Sequence, residues 1–247
     1  MLIPFKALLT GALRDKMSLF YGLVFPVIMM IVLGYFFKDT AYRQQLLIGL
    51  VALGGFFFTM TGTGFEVMKQ RRMGVYKLLR ATPFKISTFV ATLTAARGLV
   101  ALVCSLLVFA GGALYFGVRV SLTGLVLMLP VLLLGTVCFT AMGFILGNLG
   151  SSETQVAGIN NLFQLPMTFG SPIFYSLNAA PQWVQVLSKC LPMSHYIAAL
   201  KAGLAGDPGA MALPLLVLLG FTLVILAAAV LTFRWDPDSS LLRIQRA

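Results

Sequence analysis

Charge is what this 247-residue sequence has least of: Asp, Glu, Lys and Arg together make up 10% of it, with only seven acids and a single His. A soluble domain carries about 25% charged residues. No Gly-x-x-x-x-Gly-Lys-Ser/Thr occurs, so there is no glycine loop with a lysine to hold phosphates. Cys104 and Cys138 fall inside apolar runs and Cys190 has no obvious partner, which excludes a disulfide framework. His195 stands alone, and no His/Cys/carboxylate set has metal-ligand spacing. No apolar run has an acid at its centre, whereas ion-coupled transporters place ionisable residues there. A membrane-embedded lipid enzyme would need convergent acids, a His or a metal, and these too are missing.

What is abundant is hydrocarbon. The chain is 59% hydrophobic with 20 Phe, and it reads as an all-α integral membrane protein. About 20 apolar residues cross a bilayer as a helix, and six segments qualify: Ser18–Phe37, Leu46–Gly64, Gly98–Val118, Leu122–Leu146, Gln155–Tyr175 and Met211–Phe233. The fifth is polar at several positions and is interrupted by Pro166 and Pro172. Ser18–Phe37 is longer than a signal-peptide core and no small-x-small site follows it, so it is expected to stay as an anchor. Before it, Leu2, Phe5, Leu9 and Leu13 recur at helical spacing, with Lys6, Arg14 and Lys16 off that stripe. That pattern predicts a short amphipathic helix in the inner headgroup region. Six crossings divide the Lys and Arg residues into thirteen on the side of the termini and five on the other, which predicts both termini in the cytoplasm. The net charge of +11 therefore reads as a property of cytoplasmic loops and lipid contact, not as a nucleic-acid interface. In the longest outer connection, Trp183, Val184, Val186 and Leu187 predict a short interfacial helix that Leu191-Pro192 ends.

One stretch breaks the apolar pattern: "FEVMKQRRMGVYKLLRATPFKIS", Phe65 to Ser87, holds six Lys and Arg. Met68, Val75 and Leu79 share a helical face, and Thr82-Pro83 stops the helix and starts the next. The residues alone leave two readings open, a basic loop drawn to anionic lipid and a knob that docks in a groove of a soluble partner.

Glu66, a basic turn and "RMGVYKLLRATP" followed by a helix into the next span resemble the permeases of ABC-2 type exporters. The distal "LPMTFGSPIFYSLNAAPQWVQVLSKCLPMSHYIAALKAGL", Leu165 to Leu204, resembles the same family, in which the end of the fifth span is followed by a Pro-Trp helix and a re-entrant return. The resemblance covers essentially the whole chain and implies a single transmembrane domain over residues 1–247. It implies a coupling helix at Gly74–Arg80 (Gly74, Val75, Tyr76, Lys77, Leu78, Leu79, Arg80), preceded by the acid Glu66 and by Met68. Val75-Tyr76-Lys77 departs from the Thr-Leu-Glu or similar of many members, leaving this helix wholly basic. It also implies partners: two copies of an ATPase subunit that brings ATP and Mg, and a second permease as homodimer or close paralogue, in a bacterial inner membrane. No cofactor is expected in this chain itself, which is expected not to be an enzyme.

Asn160, Gln164, Thr168 and Ser171 lie along one face of the fifth segment, and Gly55, Thr59, Gly62 and Thr63 along a related face of the second, flanked by Phe56 and Phe57. Such side chains either bond neighbouring helices or line a polar route. In the family these two spans line the route, so the resemblance points to a path made of Phe56, Thr59, Thr63, Asn160, Phe163, Gln164, Met167 and Thr168. That lining suits export of a hydrophobic or amphiphilic, drug-like compound. The alternatives are a glycolipid or polysaccharide carrier and, from another class, a structural membrane subunit that transports nothing.

Overall fold

The protein is described by a computed structural model over residues 2–75, 86–177 and 180–232. Among these residues every regular element is a helix. In chain order they are α1 (Leu2–Arg14), α2 (Lys16–Phe36), α3 (Thr40–Arg72), α4 (Ile86–Phe116), α5 (Leu122–Leu149), α6 (Glu153–Phe169), α7 (Gln182–Lys189), α8 (Pro192–Ala205) and α9 (Pro208–Leu231). The starts are set by side-chain caps. Asp39 accepts from the Tyr42 amide at 2.9 Å, Ser121 from Gly124 at 2.9 Å, Ser152 from Gln155 at 3.2 Å and Asp207 from Ala210 at 3.0 Å. Each fills an amide that the first helical turn leaves unpaired. Helix α8 ends at Gly206, whose φ of 73° lets the Asp207 amide reach back to the Ala202 carbonyl at 3.1 Å.

Five helices, α2, α3, α4, α5 and α9, are long and apolar enough to cross a membrane. The fifth expected crossing, Gln155–Tyr175, takes another form. Helix α6 has 17 residues, about 26 Å at the α-helical rise, and stops at Gly170. The following residues are not helical, and their carbonyls are taken up by protein. Gln45 Nε2 donates to Pro172 O at 3.2 Å and to Tyr175 O at 2.6 Å. Ile173 O lies so close to Gly49 that a Cβ there would sit 2.2 Å from it. Irregular backbone at such a place is tolerated when protein satisfies it. Against the six expected crossings, the described residues hold five full-length helices and one shorter element. Helix α4 is described from Ile86 and runs through Arg97 into the expected span at Gly98, as expected of the helix that Thr82-Pro83 starts, with Phe89, Leu93 and Ala96 buried before Arg97; residues 76–85 lie outside the described residues.

Helix α3 is the axis of the bundle: 94% of its most apolar window is buried, against 17% for α9 at the edge. Its core face packs on α5, where Gly143 and Gly147 carry no side chain between them. A Cβ on Gly143 would meet Met60 O at 2.4 Å and Thr63 Cβ at 2.8 Å, and one on Gly147 would meet Gly64 O at 2.6 Å. Small residues at four-residue spacing bring membrane helices into this kind of approach. Further along α5, Phe56 stacks edge-on to Phe139 at 5.0 Å and Phe139 to Tyr196 of α8 at 5.5 Å. Helix α8 is seated between α5 and α9. Helix α7 forms where the sequence places it and leaves Trp183 and Val186 exposed. Helix α1 lies on α4, with Leu9 and Ala12 packed beside Val100, Ala101 and Cys104.

Candidate functional site

The site starts from an irregularity in α3. Between Phe57 and Thr61 the helix widens to a π turn, a feature that occurs mostly as single-turn bulges at functional places. The turn splits α3 into two faces. Phe56, Thr59 and Thr63 are fully buried against the bundle, with Thr59 Oγ1 donating to its own helix at Gly55 O, 2.6 Å away. Phe57, Thr61, Gly62, Phe65, Glu66 and Lys69 face the other way and form one wall of a cavity of about 900 Å³. The end of α1 and start of α2, from Gly11 to Tyr21, form a second wall, and Glu153, Ala157, Asn160, Asn161 and Gln164 of α6 a third.

The interior is amphipathic. Tyr21, Phe57 and Phe65 supply aromatic surface. Opposite them Thr61 Oγ1 donates to Asn160 Oδ1 at 3.2 Å, and Asn160 Nδ2 donates to Gln164 Oε1 at 2.8 Å. Charges of both signs, Arg14, Lys16, Lys69, Glu66 and Glu153, stand at the basic end. Glu66 accepts from Gln70 Nε2 at 2.6 Å.

Of the expected path residues, Asn160 and Gln164 are on this cavity. Phe56, Thr59 and Thr63 are not, and the reason is physical: Gly143 and Gly147 draw α5 onto that hydroxyl-bearing face, so it serves helix packing. Met167 and Thr168 are buried at 5% and 8% exposure, and Phe163 is on the outer side of α6 at 41%. Thr61, Phe57 and Phe65 take their places. The readable signal for this exchange is the Gly143-x-x-x-Gly147 spacing in the fourth apolar segment.

Of the expected coupling residues, Glu66 lines the cavity and Met68 is 2% exposed beside it. The face drawn through Met68, Val75 and Leu79 therefore begins inside the protein. Gly74 has φ 72° with nothing within 4 Å of a Cβ, a left-handed position that suits Gly. Tyr76, Lys77, Leu78, Leu79 and Arg80 lie outside the described residues. Two of the basic residues before them are engaged. Arg71 is buried, donating to Asn148 O at 2.7 Å and to Gly150 O at the end of α5, where unpaired carbonyls and the helix dipole favour a cation. Arg72 lies 3.9 Å from Glu153, both exposed.

A buried ionic cluster behind the cavity went unread in the sequence. Arg97 of α4 is 1% exposed. Its Nη2 donates to Asp15 Oδ2 at 3.2 Å, to Ser18 Oγ at 3.0 Å and to Phe58 O in the π turn at 3.3 Å. The guanidinium carbon stands 5.2 Å from the Phe58 ring centroid. Gly62 leaves the space this needs: a Cβ there would sit 2.0 Å from Arg97 Nη2. The signal was available, since a cation within an apolar run pairs with an acid and Asp15 is one of only seven.

A bundle of apolar helices around an amphipathic cavity, joined to a basic segment at one end, is the build of a multi-pass membrane permease subunit. The chain belongs to the ABC-2 type transporter family, whose model matches residues 5–205. It is similar to the "Probable doxorubicin resistance ABC transporter permease protein DrrC" of Mycobacterium tuberculosis (strain CDC 1551 / Oshkosh), 25% identical over 214 residues that cover 84% of this chain and 77% of that one. It is also similar to the "Putative transport permease YvfS" of Bacillus subtilis (strain 168), 20% identical over 193 residues that cover 74% and 77% of the two chains. Family membership makes this an ABC transporter permease, the transmembrane subunit that does not itself hydrolyse ATP, and implies an ABC ATPase as partner.

Proposed function

We propose that this chain exports a hydrophobic or amphiphilic, drug-like compound from the cytoplasm or inner leaflet of a bacterial inner membrane. The observation that carries this reading is the cavity: aromatic surface from Tyr21, Phe57 and Phe65 faces the amides of Asn160, Asn161 and Gln164, a lining that buries a ring system and bonds its polar edge. The printed name of the Mycobacterium relative, which refers to doxorubicin resistance, supports the drug-like class. In this reading residues 1–247 form one transmembrane domain with both termini in the cytoplasm and six crossings, α6 making the fifth. Two permease copies work with two ATPase subunits that supply ATP and Mg. The segment Glu66–Arg80 docks on the ATPase, and Arg71 and Arg72 pass its movement to the ends of α5 and α6.

The test is a mild-detergent pull-down of the tagged chain from its own cells, with ATPase activity and vesicle uptake of fluorescent amphiphiles as readouts. A stoichiometric nucleotide-binding subunit is expected. Leu79→Asp should leave the chain inserted and break the link between hydrolysis and export. Phe57→Ala should raise the KM for cargo with a small loss of stability. Phe56→Ala, on the packed face, should lower stability by about 3–5 kcal/mol without a change of cargo preference. A chain that returns alone, with no ATPase under any condition, would overturn the exporter reading in favour of a structural subunit.

A further inference from the structure

Asp15 stands where the chain breaks between α1 and α2, at φ −76° and ψ 84°. Its carboxylate caps the first turn of α2, accepting from the Ser18 amide at 3.1 Å and from Ser18 Oγ. It also takes the charge of Arg97, whose guanidinium reaches Ser18 Oγ and the Phe58 carbonyl as well. That carbonyl belongs to the π turn of α3. One cation thus holds three segments together: the α1–α2 corner, the π turn of α3, and α4. Two of the three, Asp15–Ser18 and Thr61–Gly62, are cavity wall. Across the cavity, α6 rests on α3, α5 and α8. The position of the corner relative to α6 is therefore set from behind, by the ionic cluster.

We propose that the Asp15–Arg97 pair is the pin that fixes the α1–α2 corner against α3, and that both are positioning residues for entry of cargo into the cavity. Arg97 is sealed from the cavity by Asp15 and Ser18, and Asp15 has its oxygens committed to Ser18 and Arg97, so neither is assigned a contact with cargo. The functional half of this proposal rests on the cavity being the export route. The geometric half does not.

The experiment uses the full chain with its co-purified ATPase in lipid nanodiscs. Exposed Cys190 is replaced by Ser, and spin labels are placed through Thr10→Cys on α1 and Leu162→Cys on α6, neither of which lines the cavity. Thr10 and Leu162 are exposed, while Cys104 and Cys138 are buried. Asp15→Asn keeps the cap but removes the charge, and Asp15→Glu restores the charge. We expect Asp15→Asn to lengthen and broaden the distance distribution between the two labels. The KM for a fluorescent amphiphile should rise about tenfold with kcat within about twofold, the signature of lost binding geometry as opposed to lost chemistry. Asp15→Glu should recover most of both. Should Asp15→Asn fail to insert, Ser18→Ala removes one Arg97 bond and one Asp15 bond without touching either charge, and should shift the distance in the same direction by less. An unchanged distribution in Asp15→Asn or Ser18→Ala overturns the pin. A shifted distribution in a chain that transports nothing in any variant, the parent included, keeps the pin and removes the export route.

Discussion

Two guanidinium groups are buried among the described residues, Arg71 and Arg97, and they are held at different kinds of place. Arg71, in the last turn of α3, donates to the carbonyls of Asn148 and Gly150, where α5 ends. Arg97, the twelfth residue of α4 and inside its apolar span, takes a full carboxylate, a hydroxyl, a carbonyl and an aromatic face. The partial negative charge at a helix C-terminus, roughly half an elementary charge, favours Arg71 where α5 runs out. Deeper in hydrocarbon a lone cation costs about 2.5–3.5 kcal/mol by insertion scales, and a formal counter-charge is recruited. The two sites also differ in purpose. One fastens the end of α3 to the end of α5; the other fastens a corner of the chain to a distorted turn.

The comparison breaks most severely at Gly62. With a Cβ placed 2.0 Å from Arg97 Nη2 and 2.1 Å from Ser18 Oγ, Gly62→Val should abolish the folded monodisperse peak in size-exclusion chromatography of detergent extracts. Next comes Arg97→Met, which leaves Asp15 and the Phe58 carbonyl without their partner. It should cost about 3 kcal/mol, the low end for a broken buried pair because Asp15 keeps some contact with water, read as a lower thermal midpoint. Arg71→Met removes charge-assisted bonds to two carbonyls at a less demanding place and should cost about 1.5–3 kcal/mol in the same assay. If it proved as damaging as Arg97→Met, the distinction between a cation at the ends of two helices and one inside an apolar span would fall. Glu153→Gln, which removes an exposed pair at 3.9 Å, should change the midpoint by less than about 0.5 kcal/mol in equivalent stability.

Much of the fold was legible because apolar length is a blunt signal. The first, second, fourth and sixth expected segments lie almost wholly within α2, α3, α5 and α9, and the Trp183 helix is where turn signals put it. Thr82-Pro83 signals the start of the helix that becomes α4, and the sequence carries that helix across Arg97 into the span; what it does not show is that Arg97 is buried against Asp15 instead of marking the membrane surface. The same cause weakens any charge count, since Arg71 and Arg97 are packed parts of the bundle as well as basic residues near one end. On the candidate site, the amide row of α6 was visible as spacing, and Asn160 and Gln164 reach the cavity. The matching face of α3 was not. A straight α-helix cannot show which side carries the cavity, and nothing in Phe57-Phe58-Thr59-Met60-Thr61 marks a π turn as a Pro would mark a kink. The choice between Thr59 and Thr61 is made by α5, through glycines more than eighty residues further along the chain.

Helix α8 carries a consequence for how the molecule is made. At 14 residues it is too short to span the hydrocarbon, so it has no claim on the bilayer by itself. Its seat has two sides: Tyr196 rests on Gly135 and Phe139 of α5, and the His195 ring lies 5.9 Å from Phe221 of α9. Chains are synthesised from the N-terminus, so α8 leaves the ribosome when only one of those sides exists. Helix α9, which emerges after it, then closes the second side. A nascent chain halted before Pro208 holds the His195 side of α8 uncovered, ready to be recognised by membrane proteases as unfinished.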